Sequence, residues 1–356
     1  MIQPESHAAD IDPRDHDPVQ FLARITRLGE SEATARRWLS ATIGRGILDP
    51  VAWNQSFQIP KRLTIRAVDP LPRLRLEHVS TSKLDGFEKL LLRTIDGLSI
   101  ETVLIPLKKP GAVSVCVSSQ VGCAMGCVYC ATARMTSRRN LAVWEIVDQF
   151  HHARARAVSQ GRRVTGVVFM GMGEPFLNYD RVLAAAELLS CPFGGSVGGG
   201  GMTISTVGLV PEIDRFTAEK RRFRLSISLG AASDEKRAML VPVAARSPIR
   251  EVVAAAARHA RARNDRVMLS YVCIHGVNVG EDDARDLGEL LAGIRVRFDL
   301  IDVVDPTGRY KPPEPDELKR FRDLLSIHLG QPVVRRYSGG ADIQAACGTL
   351  AGATAL

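Results

Sequence analysis

From Val113 to Leu329 the chain alternates short apolar runs with longer amphipathic ones, and this alternation limits its fold more than any other feature. Strand character falls at Val113–Ser118, Val164–Met170, Met202–Thr206, Arg224–Leu229, Val267–Ile274 and Val296–Val303. Between or after them, Val143–Ala157, Tyr179–Leu189, Val210–Glu219, Ser247–Arg261, Glu281–Ile294 and Asp316–Leu329 repeat apolar residues at helical spacing. Six strand–helix units in series imply parallel strands, so an α/β barrel or open sheet is expected. A last strand is expected at Pro332–Arg336, and the glycine-rich stretch Gly194–Gly201 reads as a flexible loop.

Ahead of this core, Phe21–Leu28, Ala33–Ile43 and Pro50–Phe57 read as helices, with Ser31 as a cap, and Pro60–Pro72 as a linker. Glu88–Arg93 and Ile100–Pro106 read as a hairpin or small sheet. The expected division is an acidic disordered tail over residues 1–18, a helical accessory domain over 19–72, connecting strands and linker over 73–110, and the core over 111–356. The tail sets five acidic residues against Arg14, a net of −4, so a whole-chain charge of +8 leaves about +12 elsewhere. That excess favours a polyanionic partner, with basic runs at Arg134–Arg139, His151–Arg163, Lys220–Arg224 and Arg258–Arg266 able to meet phosphates. Only 5% of residues are aromatic, so a base-stacking platform is not indicated. No window approaches the ~18 apolar residues of a membrane span, and the start lacks a secretory pattern; a soluble, cytoplasmic monomer is expected.

Four of the seven cysteines, Cys116, Cys123, Cys127 and Cys130, lie within fifteen residues, the last three on the loop after the first core strand. In a cytoplasmic chain such clustering argues for metal or redox chemistry over a disulfide framework. A closed zinc site usually takes two separated pairs of ligands, and an electron-transfer cluster four thiolates. Three thiols at the CxxxCxxC spacing of Cys123, Cys127 and Cys130 can instead hold three irons of a [4Fe–4S] cube, leaving the fourth to chelate S-adenosylmethionine. Zinc or a structural role is the alternative. Cys191 and Cys273 sit in apolar surroundings and read as core.

Three motifs then bring a resemblance. Cys116-Val-Ser-Ser-Gln-Val-Gly-Cys123, Gly171-Met-Gly-Glu-Pro175 and Asp342-Ile-Gln-Ala-Ala-Cys347-Gly-Thr-Leu-Ala-Gly352 together resemble the RlmN/Cfr family of radical-SAM RNA methyltransferases. Ala33–Leu39 and Ile47–Trp53 resemble that family's accessory domain, so the likeness covers nearly the whole chain. It implies a partial (β/α)6 barrel, a [4Fe–4S] cluster on Cys123, Cys127 and Cys130, and S-adenosylmethionine held by Gly173, Glu174, Ser205, Ser228, Leu229, Gly230 and Asn278. Glu174 is expected to receive the ammonium group. Most of these positions follow successive strands, where barrel enzymes gather their reacting groups.

The resemblance also implies a route. Cys347 takes a methyl group from one S-adenosylmethionine; a radical made from a second removes a hydrogen from it; the carbon radical adds to an adenine ring carbon, C2 or C8; and Cys116 releases the product by forming a transient disulfide with Cys347. Glu101 matches the proton acceptor. Ribosomal RNA is the expected substrate, with transfer RNA next, and a flavodoxin or ferredoxin the electron donor. The chain departs from the family at Gly230, where a histidine is usual, in the uncharged Gly194–Gly201 loop, at Asp299–Asp305, and at Tyr337–Gly340 in place of an arginine. These departures suggest a divergent member and keep two other readings open: a radical-SAM enzyme acting on a peptide or small molecule, and a non-catalytic RNA-binding relative.

Overall fold

In the computed structural model, residues 11–243, 247–305 and 307–352 are described. The chain opens with helices α1 (Pro18–Arg27), α2 (Glu32–Leu39, continued by a π turn over Ser40–Gly44), α3 (Pro50–Phe57) and the short α4 (Lys61–Thr64). Asp17, Ser31 and Asp49 cap the first three, each accepting backbone N–H groups that would otherwise lack partners. Phe21, Trp38 and Trp53 form their core, edge to face at 5.7 and 5.4 Å.

The expected disorder of the acidic tail does not extend to its described part. Ile11 is buried and bonded on both sides, its N–H to the Arg66 carbonyl and its carbonyl to the Val68 N–H. Asp12 is buried too, because the Arg14 guanidinium grips it at 2.7 Å and also donates to the Pro72 carbonyl. Local neutralisation lets charged residues pack where a net charge suggests solvation. Residues 1–10 lie outside the described residues.

Strands β1 (Arg75–Thr81), β2 (Glu88–Arg93) and β3 (Ser99–Pro106) form an antiparallel meander, and β4 (Ala112–Cys116) pairs antiparallel with β3. A two-stranded clip, β5 (Gln120–Val121) with β6 (Arg139–Asn140), brackets the cysteine loop. Helix α5 (Val143–Ser159) then leads to β7 (Arg163–Phe169), α6 (Tyr179–Ser190), β8 (Met202–Thr206), α7 (Val210–Ala218) and β9 (Arg224–Ser228). After these come α8 (Asp234–Leu240), α9 (Ile249–Arg263), β10 (Val267–Cys273), α10 (Glu281–Leu290), β11 (Val296–Asp302), α11 (Pro315–Leu329) and β12 (Val333–Arg335). Among the described residues the order is β1-β2-β3-β4-β7-β8-β9-β10-β11-β12, parallel from β4 onward.

The six expected strand–helix units are therefore present in one larger mixed sheet. Residues 73–110 are not a connector: β1 to β3 extend the barrel sheet itself. The Gly194–Gly201 loop is packed rather than free. The Gly195 and Val197 N–H groups donate to the Leu188 and Leu189 carbonyls, and any Cβ at Gly194 or Gly195 would collide with those same carbonyls. Gly194 and Gly195 serve close approach to the end of α6.

Candidate active site

The cysteine loop is pinned at both ends. Ser118 N–H donates to Gln149 Oε1 at 2.7 Å, and Gln149 Nε2 returns a bond to the Ser118 carbonyl at 3.0 Å. Further on, Val128 N–H donates to the Leu240 carbonyl and Ala131 N–H to the Gly348 carbonyl, so the loop touches both α8 and the C-terminal segment. The Gly-Met-Gly-Glu turn packs directly beneath. A Cβ on Gly173, whose φ is +100°, would lie 2.5 Å from the Gln120 side chain, and one on Gly171 would meet Ser118. Gln120 Oε1 accepts the Glu174 N–H at 2.8 Å, which ties the turn to the loop.

These contacts create a cleft at the C-terminal ends of the strands. Cys123, Cys127, Cys130, Gly173, Glu174, Ser205, Ser228 and Cys347 all line it. Glu174 is 2% exposed, and its oxygens accept from Phe176 N–H and Val207 N–H, each at 2.9 Å. Burial nevertheless raises its carboxyl to about 7, against the lowering effect of those bonds. Leu229, Gly230 and Asn278 stand behind the wall. Leu229 is fully buried, and Asn278 spends its amide on the Gly230 and Val272 carbonyls and the Ile274 N–H. They brace the strand ends and do not line the cleft. Gly230 has φ +78°, a conformation that disfavours the family's histidine in this backbone.

A second cavity adjoins the first and shares Met170, Arg336 and Cys347 with it. Cys116 lines this inner cavity, which it therefore shares with Cys347. Burial first, then the nearby Cys347, pushes the Cys116 thiol up to about 12, while the Met170 backbone and the Arg336 guanidinium pull it down. The Cys347 segment is held by Ser338 Oγ, which accepts its N–H at 2.8 Å, and by Thr132 Oγ1, which donates to the Leu350 carbonyl at 2.6 Å. Glu101 lines neither cavity. It sits fully buried on β3, with Oε1 2.8 Å from Lys89 Nζ and Oε2 accepting from Ala351 and Gly352 N–H.

Arg336, Lys89, Gln120 and Arg237 were not singled out as site residues from sequence. Arg336 alone carried a usable signal, ending the last expected strand, where such folds place functional groups. Arg237 donates to the Leu229, Ser247 and Val207 carbonyls and so holds together the loops after β8 and β9. Cys191 and Cys273 are buried and line neither cavity, as core residues would.

Among the described residues no three His, Cys, Asp or Glu side chains already converge on one point as metal ligands. The donor chemistry still fits a cluster. Burial, with Glu174 and Cys130 adding, raises the Cys123 thiol to about 12; burial and the two other loop thiols drive Cys127 higher. Three thiolates in this wall repel one another, and a cationic metal group removes that cost.

The model of the radical SAM superfamily matches residues 117–288. A probable RNA methyltransferase of Anaeromyxobacter sp. (strain Fw109-5) is 48% identical over 94% of this chain and 96% of its own length. A probable dual-specificity RNA methyltransferase RlmN of Symbiobacterium thermophilum is 38% identical, over 91% of this chain and 86% of that one. The chain belongs to the RlmN family of radical-SAM RNA methyltransferases. The crystal structure of a radical SAM methyltransferase from Sphaerobacter thermophilus superposes with a TM-score of 0.87 at 36% identity, covering 97% of this chain and 100% of the other. RlmN membership carries a [4Fe–4S] cluster and S-adenosylmethionine with it, and it removes the support for a non-catalytic relative. No helix among the described residues is long and apolar enough to cross a membrane.

Proposed function

We propose that this enzyme methylates a ring carbon of adenine, C2 or C8, in RNA, with 23S ribosomal RNA as the leading substrate and transfer RNA as a second. Cys123, Cys127 and Cys130 would hold the cluster, and Glu174 would receive the ammonium group of S-adenosylmethionine. When bound, these groups supply one electron and a 5′-deoxyadenosyl radical. A flavodoxin or ferredoxin would be the electron source, and the enzyme would act as a cytoplasmic monomer.

The observation that carries the reading is the position of Cys347 on the wall common to both cavities, with Cys116 in the inner one. From there Cys347 Sγ can face the outer cleft to take a methyl group and turn inward to meet Cys116. Carrying a methylene, Cys347 would be joined to the adenine carbon, and the adduct would give up the ring proton and one electron, the electron returning to the cluster that the three loop thiols would hold. Cys116 thiolate would then attack Cys347 Sγ. The sulfur–methylene bond breaks, its electron pair goes to the methylene, and that carbon gains a proton to become the methyl group. Glu101 would accept the ring proton, which requires it to release the amides of Ala351 and Gly352 as the segment moves.

The test is mass spectrometry of Cys347 after the cluster-loaded enzyme meets S-adenosylmethionine, with nucleoside analysis of RNA from cells with and without the gene. A methylated Cys347 and a methyladenosine lost with the gene support the proposal. An unmodified Cys347 in active enzyme would sink it.

A further inference from the structure

Two basic runs separated in sequence meet at the end of the barrel opposite the cleft. A recess of about 240 Å³ lies there, lined by Arg224, Arg263, Arg266 and Arg297, with Asp265 and His259 beside them. Arg224 opens β9, Arg266 precedes β10 and Arg297 lies at the start of β11. The same strands reach the cleft at Ser228, Val272 and Ile301. Four residues of strand separate the two ends, roughly 13 Å at the usual rise.

The charge here is unanswered in a way that the rest of the surface is not. In the same runs Arg221 pairs with Glu219 and Glu187, Arg222 with Glu187, and Arg258 with Asp214. Among the described residues no carboxylate lies within ion-pair distance of Arg224, Arg263 or Arg266, and Arg297 meets only Asp299, at 3.2 Å. Asp265 is the single carboxylate in the lining. Arg263 ends α9, where a cation answers the helix dipole; Arg224, Arg266 and Arg297 belong to strand ends and have no such reason. Guanidinium groups held together repel unless an anion joins them, and their planar forks match phosphate oxygens.

We propose that this recess is a phosphate-binding site remote from the reaction, taking adjacent phosphates either of an RNA strand or of a free polyphosphate. The site does not depend on which base is methylated, nor on methyl transfer itself.

The experiment compares the full cluster-loaded enzyme with R224A/R266A and with R285A/R322A, a control that removes two exposed arginines already paired with Asp282 and Asp323. Two probes are titrated: a transfer-RNA transcript across a salt series, and pyrophosphate by calorimetry. If RNA is the source, R224A/R266A lowers the transcript's salt slope by about two and its affinity about tenfold at low salt, and the control does neither. If free polyphosphate is the source, pyrophosphate saturates the wild type and fails to bind R224A/R266A, while the transcript is unaffected. Formation of 5′-deoxyadenosine without RNA stays at the wild-type level in both variants, showing an intact cleft. The proposal is overturned if neither probe distinguishes R224A/R266A from the control, an outcome that leaves the methyl-transfer reading untouched.

Discussion

Lys89 Nζ lies 2.8 Å from Glu101 Oε1, with the two side chains 3% and 0% exposed. The pair also grips the segment that carries Cys347: Lys89 donates to the Gln344 carbonyl, and Glu101 accepts from Ala351 and Gly352. Both ends of the thiol's loop thus hang on one buried pair. Removing one partner strands the other without compensation, at a cost of about 3–5 kcal/mol. K89M is therefore expected to lower stability to denaturant and to speed proteolysis near the C-terminus. It should retain some methyl transfer, because the carboxylate stays. E101Q strands the Lys89 charge in turn and should be destabilised to a similar degree, yet it should be far less active, with enzyme–RNA adduct accumulating, if Glu101 takes the ring proton. Equal losses of activity in the two would assign Glu101 to positioning alone.

If Glu174 receives the ammonium group as proposed, it gives S-adenosylmethionine binding a pH dependence. Its carboxyl sits near 7 because of burial, and an ammonium group beside it stabilises the charged form. Binding then expels a proton below pH 7, so affinity for S-adenosylmethionine rises with pH and levels off once the carboxylate is ionised in the free enzyme. Below pH 7 the dissociation constant should grow up to about tenfold per pH unit. Calorimetry between pH 5.5 and 7.5 checks this. E174Q should bind weakly at every pH and lose the slope.

The thiols and the Gly-Met-Gly-Glu turn were legible because their chemistry depends on local spacing: Cys123, Cys127 and Cys130 share one loop, and Gly173 needs its positive φ whatever surrounds it. Lys89 and Arg336 were not. Lys89 sits in Glu-Lys-Leu-Leu-Leu, which reads as a strand with a solvated lysine, and only the pairing of β2 with β3 brings it to Glu101. Asn278 shows the converse. Sequence places it near the cleft, while the fold turns its amide into a brace between loops. The strap from Ile11 to Arg14 was hidden by its net charge, since pairing across two residues leaves no trace in composition.

Gly173 is constrained twice, by its φ of +100° and by the Gln120 side chain 2.5 Å from any added Cβ. G173A must shift the turn away from the cysteine loop. The expected loss is roughly 1–3 kcal/mol of stability, from overpacking with strain added. S-adenosylmethionine binding should weaken more than that loss suggests, because Glu174 moves with the turn. Truncating Gln120 does not relieve the conflict: Q120A keeps the Cβ at 2.5 Å and the backbone N at 2.8 Å and loses the Oε1 that accepts the Glu174 N–H, so G173A/Q120A should be no more stable than G173A. Recovery of stability in the double variant would show that neither the contact nor the positive φ limits this turn.

Arg336 lines both cavities and pulls the Cys116 thiol down, against the burial that still leaves it near 12. Its guanidinium also donates to Met170 Sδ at 3.1 Å, which fixes it across the shared wall. In the proposed route, release of the product uses Cys116 as thiolate, so losing this charge should slow that step and leave earlier ones nearly intact. In R336M, methylation of Cys347 and formation of 5′-deoxyadenosine should proceed, while a covalent enzyme–RNA species builds up on denaturing gels. Raising the pH should clear it faster, because a larger fraction of Cys116 is then ionised, and R336K should restore much of the rate. If R336M instead abolishes 5′-deoxyadenosine formation, the arginine serves the cofactor cleft and not the thiol.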